Sequence, residues 1–141
     1  MSATTPDRPA LLLVSGSLRE GSTNTSTLRT VQELLGDRSD GATGTLFAGM
    51  GELPHFNPDD DRDPLPSPVA ALRAAIASAS GLIFCTPEYA GDMPGSLKNL
   101  LDWTVGGVEI EGKPTAWINV STSPAGAAGT HAALRTVLGY T

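Results

Sequence analysis

The sequence contains one cysteine, Cys85, and two histidines, His55 and His131. A single thiol excludes an internal disulfide framework and any structural zinc site built on cysteine pairs. The histidines are isolated and have no second ligand at suitable spacing, so no metal centre is expected. Basic residues are scarce: nine Lys and Arg stand against fifteen Asp and Glu, for a net charge of −6. That sign disfavours a phosphate-backbone partner, and no nucleic-acid role is expected. No apolar run reaches the roughly 18 residues that a membrane-crossing helix requires, so no membrane partner is expected either. The N-terminus lacks the basic segment and apolar core of a secretory signal, which makes the cytoplasm the expected location. Two well-known phosphate loops are missing: there is no GxxxxGK[ST], and no GxGxxG follows the first apolar run. No nucleophile–base set is legible, so no catalytic side chain is assigned.

What remains is a globular composition of 141 residues, 40% hydrophobic and 17% charged, enough for one domain. Residues 1–9 are polar, include two prolines and read as a disordered N-terminal arm; the domain proper is expected over 10–141. Leu11-Leu12-Leu13-Val14 is an unbroken apolar run, the pattern of a central parallel strand covered on both faces. From Asn24 onward, Leu28, Val31, Leu34 and Leu35 recur at helical spacing. Residues 42–47 read as a weaker second strand, and 48–66 as an irregular stretch rich in proline and acid. Ser67-Pro68 reads as a helix start, a capping serine followed by proline in the first turn, with Val69, Leu72 and Ile76 as the apolar stripe. Residues 81–86 form a third buried-type strand. Pro94 opens a helix carrying Leu97, Leu100, Leu101 and Thr104 on one side. Residues 115–120 make a fourth strand, and the last helix carries Leu134, Val137 and Leu138. The strictly alternating strand–helix order predicts a parallel sheet with helices on both faces.

The connection after the first strand is the most informative segment. Between Ser15 and Thr25 it holds five hydroxyl side chains, Arg19 and the glycines Gly16 and Gly21. Hydroxyl donors, a guanidinium and the N–H groups at the start of a helix together favour a phosphate group. A plain polar turn with Ser22 or Asn24 as helix cap remains the other reading. A phosphate loop on a doubly wound sheet, with neither of the two missing motifs, points to a mononucleotide such as FMN.

Gly16-Ser17-Leu18-Arg19-x-Gly21-Ser22-x-Asn24 resembles the phosphate loop of the NADPH-dependent FMN reductase family. Thr86-Pro87-Glu88-Tyr89, followed by Pro94-Gly95-x-Leu97-Lys98-Asn99-x-x-Asp102-Trp103, resembles its second hallmark. The resemblance runs from about Leu11 to the end of the chain. It implies a flavodoxin-like three-layer αβα sandwich in the α/β class, with a parallel sheet in the order 2-1-3-4. It implies FMN as cofactor and NAD(P)H as co-substrate, with hydride passed on to a small acceptor: free flavin, a quinone, an azo compound or a metal oxyanion. By position, Ser17, Arg19, Ser22, Asn24 and Thr25 would hold the phosphate. Pro87, Glu88, Tyr89, Ala90 and Gly91 would line the ring, and Ser121, Ser123 and Gly126 would approach it from a third loop. The family commonly carries Asn where Ala90 stands.

The resemblance also implies that Lys98, Asn99, Asp102 and Trp103 contribute to a subunit interface; the alternative is a solvated face with Trp103 at the edge of the core. Family members are commonly longer by about one strand and one helix. The expectation is therefore that a fifth strand is missing, leaving an apolar edge at 115–120. Either a partner subunit in a homodimer or homotetramer covers that edge, or the chain is part of a longer product. Two other functions stay open: a flavodoxin-type electron carrier, and a shortened, catalytically silent FMN-binding or assembly protein. Asn57, Asp59, Asp61 and Asp63 alternate like a calcium loop, but Arg62 and Pro68 stand where such a loop needs Gly and Glu. Cys85, inside an apolar strand, is expected to be inert.

Overall fold

A computed structural model describes residues 8–141. Of the expected arm at 1–9, residues 1–7 lie outside the described residues, and Pro9 already accepts a hydrogen bond from the Thr43 N–H at 2.8 Å. Four strands, β1 (Ala10–Ser15), β2 (Thr43–Leu46), β3 (Gly81–Cys85) and β4 (Thr115–Ile118), alternate with four helices. The helices are α1 (Thr23–Gly36), α2 (Ser67–Ser78), α3 (Gly95–Asp102) and α4 (Ala128–Leu138). All strand pairs are parallel and the order is β2-β1-β3-β4, a flavodoxin-like sheet as the sequence resemblance implies.

The unbroken apolarity of β1 has its cause in the two faces of the sheet. Leu12 and Val14 point to one side and join Leu82 and Phe84 of β3. There they meet Val69, Leu72 and Ile76 of α2, Leu97, Leu100 and Leu101 of α3, and Leu134 of α4. Leu11 and Leu13 point to the other side, where Leu28 and Val31 of α1 cover them together with Cys85. Alternation across a strand thus feeds two cores at once. At roughly 25 cal/mol per Å2 of apolar area, each fully buried leucine contributes about 2 kcal/mol against the entropy of ordering the chain.

Several ends differ from the pattern reading. β2 is shorter than 42–47, β3 stops at Cys85, and β4 stops at Ile118 rather than at 120. The last β3–β4 pair is Cys85 with Ile118. Beyond it the Asn119 side chain donates to the Gly126 carbonyl at 2.7 Å and accepts from the Ser121 N–H at 2.9 Å, which turns the chain away from the ladder. Ser67 is the first residue of α2 and makes no capping hydrogen bond; Pro66 precedes the helix and Pro68 lies in its first turn. Among the described residues β4 pairs only with β3, so it forms one edge of the sheet.

The α3 residues expected at an interface divide into two pairs. Lys98 and Asp102 lie on the open side and pair with each other at 2.5 Å. Trp103 is fully buried, and its Nε1 donates to the Pro54 carbonyl at 2.8 Å. Asn99 donates to that same carbonyl at 2.9 Å and accepts the Phe56 N–H at 2.8 Å. The Phe56 ring meets Trp103 edge-on, with centroids 5.0 Å apart. Trp103 is therefore enclosed within this chain, as the core-edge alternative expects, and Asn99 and Trp103, one turn apart at the end of α3, clamp the irregular segment that leaves β2. A half-buried Arg73–Asp61 pair at 2.7 Å, with Arg73 also donating to the Trp103 carbonyl, ties the acidic loop to the same place. Asp61 is thereby used in an ion pair, and among the described residues no group of acidic, histidine or cysteine side chains is placed to hold a metal.

Candidate functional site

Parallel strands aim all their carboxyl ends at one rim, so the β1–α1, β3–α3 and β4–α4 connections converge there. Gly16 sets how closely the first two approach. Its N–H donates to the Cys85 carbonyl at 2.9 Å, and a Cβ at this position would lie 2.0 Å from Thr86 Oγ1. Only a residue without a side chain lets the β1–α1 loop rest against the end of β3.

α1 then begins with its donors free. The N–H groups of Thr23, Asn24 and Thr25 have no partner among the described residues, and the first backbone bond of the helix runs from Ser26 to Ser22. Ser22 occupies the N-cap position but makes no capping bond, although the residue is only 2% exposed. The capping reading of Ser22 therefore does not hold, and its hydroxyl stays available. Thr25 Oγ1 and Ser15 Oγ share a hydrogen bond of 2.8 Å, and the Arg19 N–H donates to Ser17 Oγ at 3.3 Å. Free N–H groups, an uncommitted hydroxyl and a nearby guanidinium form a donor set suited to a phosphate dianion.

Two cavities flank this helix start. One, of about 510 Å3, lies between the three loops and is walled by Asn24, Pro87, Glu88, Ser121 and Ser123, with Thr23, Thr86, Val120 and Thr122 beside them. The other, of about 280 Å3, lies toward β2, with Ser17, Arg19, Ser22 and Thr25 on its wall. The residues expected to hold the phosphate thus fall mainly around the smaller cavity, and Asn24 joins the ring-loop residues around the larger. Asn24 Oδ1 accepts the Cys85 thiol at 3.3 Å, which fixes the side chain at the junction. Cys85 itself is fully buried, and desolvation pushes its thiol up to about 11, so it is inert.

Tyr89, Ala90, Gly91 and Gly126 line neither cavity. Tyr89 and Asp92 exchange backbone hydrogen bonds of 2.8 and 3.1 Å around Ala90 (φ 53°) and Gly91 (φ 79°). Two successive positive φ values at the centre of such a pair are the signature of a type I′ turn, for which Asn-Gly is the favoured sequence. The backbone alone therefore favours asparagine over alanine at position 90. Gly126 (φ 59°) and Ala127 (φ 54°) together turn the chain into α4.

Glu88 has a role that local pattern did not reveal. Its carboxylate accepts the Thr130 N–H at 3.2 Å, in the first turn of α4, while Thr130 Oγ1 donates to the Asp92 carbonyl at 2.8 Å. A Cβ at Gly129 would lie 1.8 Å from the Gly91 carbonyl, so the start of α4 is pressed onto the β3–α3 loop. A carboxylate at the positive end of a helix is favourably placed, and here it ties a residue on the larger cavity's wall to the start of α4. Sequence reasoning missed Thr130 and Gly129 as partners because nothing near them signals a contact across some 40 residues.

The sequence model of the family described as NADPH-dependent FMN reductase matches residues 9–141. This chain belongs to the NADPH-dependent FMN reductase family. It is 38% identical over 133 residues to a 2-hydroxy-1,4-benzoquinone reductase of a Burkholderia species, covering 92% of this chain and 70% of that protein. It is 37% identical over 130 residues to an NAD(P)H-dependent FMN reductase of Pseudomonas aeruginosa, covering 91% and 68%. Among solved structures it resembles the flavoenzyme NAD(P)H:(acceptor) oxidoreductase of Paracoccus denitrificans. The TM-score is 0.80 at 33% identity, over 92% of this chain and 70% of that one. Some relatives are spanned only in part: the match to a probable NADPH:quinone oxidoreductase of Oryza sativa covers 50% of that protein. Among the described residues no helix of this family member is long and apolar enough to cross a membrane.

Proposed function

We propose that this FMN reductase family member binds FMN across the rim and transfers reducing equivalents from NAD(P)H to a small acceptor, a quinone or a free flavin. One observation carries the reading: the uncapped start of α1 lies between a hydroxyl- and arginine-lined recess and a cavity shared by three loops. FMN, when bound, would supply the hydride and electron chemistry. The chain supplies position and electrostatics. Arg19, the hydroxyls of Ser17, Ser22 and Thr25 and the free N–H groups of α1 neutralise and fix the phosphate. Pro87 and the Glu88–Thr130 bond hold the β3–α3 and β4–α4 loops at a set separation. Ser121 and Ser123 accept the N–H groups of Ser123 and Ala125, at 3.2 and 3.3 Å, and keep their own protons to donate. Such hydroxyl donors favour negative charge arising in the cavity. Tyr89, Ala90, Gly91 and Gly126 act on the ring only through the shape of the loops.

The same reading includes a cytoplasmic location and a homodimer or homotetramer, on the grounds of family membership and the open edge at β4. It is tested by anaerobic addition of NADPH to the FMN-loaded chain. Bleaching of the flavin band within the mixing time is expected; a band that persists would favour the electron-carrier reading. Arg19→Ala is expected to weaken FMN binding by roughly 1.5–3 kcal/mol, the scale of a charge-assisted hydrogen bond, and an unchanged dissociation constant would remove Arg19 from the site.

A further inference from the structure

The smaller cavity holds more than a phosphomonoester can use. Beyond the N-cap residue Ser22, Ser26 and Arg29 continue the same stripe along α1, and both line this cavity. Ser22 is 2% exposed and its hydroxyl has no partner among the described residues. Opposite them stands an apolar wall contributed by the end of β2 and the turn after it: Phe47, Ala48 and Met50. Leu18 closes the near side by leaning on Gly51, where a Cβ would lie 3.2 Å from its Cδ2. A terminal phosphate is satisfied by the β1–α1 loop and the first turn of α1. It has no use for a second arginine two turns further along, and none for an apolar wall. At about 280 Å3 the recess is close to the lower limit of small-molecule clefts.

Strand order supplies the direction. The larger cavity lies over β3 and β4, the phosphate loop over β1 and the smaller cavity over the end of β2. A ligand with its ring over β3 and β4 and its phosphate at the start of α1 points the far side of that phosphate toward β2. We propose that the recess is a subsite for the adenylate half of a dinucleotide, so that this chain accepts FAD as well as FMN. Arg29 pairs with the second phosphate, and the adenine lies against Phe47, Ala48 and Met50. Arg19 and Arg29 offset the two phosphate charges, and Glu20 is the single carboxylate on the wall. The inference rests on the flavin reading above.

The test is calorimetric titration of the flavin-free chain with FMN and with FAD, for the native sequence and for Arg29→Ala and Ala48→Glu. Both variants change exposed residues, and circular dichroism checks that they fold. FAD is expected to bind at least as tightly as FMN. Each substitution is expected to weaken FAD about tenfold and to shift FMN by less than about twofold, since a lost charge-assisted contact is worth roughly one decade. If the chain binds FMN but refuses FAD, or if the variants move both flavins alike or neither, the adenylate subsite is wrong and the FMN reading stands. If neither flavin binds the native chain, both readings fall together.

Discussion

Glu88 and Thr130 meet through a single hydrogen bond of 3.2 Å between a carboxylate and the backbone of a helix's first turn. That bond joins the loop after β3, where Glu88 lines the larger cavity, to the helix that follows the β4–α4 loop on the same cavity's wall. Removing the carboxylate in Glu88→Ala leaves the start of α4 uncapped, and a loss of about 1 kcal/mol is expected in urea unfolding. Glu88→Gln keeps an acceptor oxygen and should recover more than half of that loss. Equal losses in the two variants would show that charge against the helix dipole, not the hydrogen bond, is what counts.

Ala90 occupies a backbone conformation that alanine disfavours. With φ of 53° at Ala90 and 79° at Gly91, the turn between Tyr89 and Asp92 is one in which asparagine is much better tolerated. Ala90→Asn is expected to stabilise the protein by about 0.5–1 kcal/mol, a fraction of the left-handed penalty. Chemical denaturation reads this directly, and a destabilised variant would contradict the turn assignment.

Asn99 supplies two hydrogen bonds to one segment, one to the Pro54 carbonyl and one from the Phe56 N–H. Asn99→Ala leaves the Phe56 N–H without its acceptor and is expected to cost about 1–3 kcal/mol. Asn99→Asp keeps the acceptor for Phe56 but loses the donor to Pro54, and should fall between the two. Because Trp103 shares the Pro54 carbonyl and touches Phe56, its fluorescence should report the loosening in both variants.

Cys85 gives a stability signature at alkaline pH. Burial disfavours the thiolate and pushes the folded thiol up to about 11, above its ordinary value. The unfolded chain therefore loses its proton first. Stability is intact below about pH 9 and falls as pH rises through 11, by an amount on the order of 2–3 kcal/mol. Cys85→Ala should flatten this part of the pH profile, and the native thiol should resist alkylation at pH 8 until the protein is unfolded.

Local pattern was sufficient for the elements. The Leu11–Val14 run, the 3.6-residue spacing of Leu28 and Val31, and the proline–serine starts of the helices are decided by neighbours in sequence, and the alternation of strand and helix then leaves few parallel topologies. The candidate phosphate loop was legible in the same way, since its glycines, hydroxyls and arginine lie within eleven consecutive residues, Ser15 to Thr25. Tertiary contacts decided how the site is divided and who holds it. Ser22 stands at a cap position without capping, Glu88 serves α4, Trp103 faces inward, and Asn99 clamps the segment after β2. Each of these depends on a group some 40 or more residues away or on the space left when loops from different strands meet. Short-range spacing carries no record of such partners, because only the packed sheet brings them within hydrogen-bonding distance.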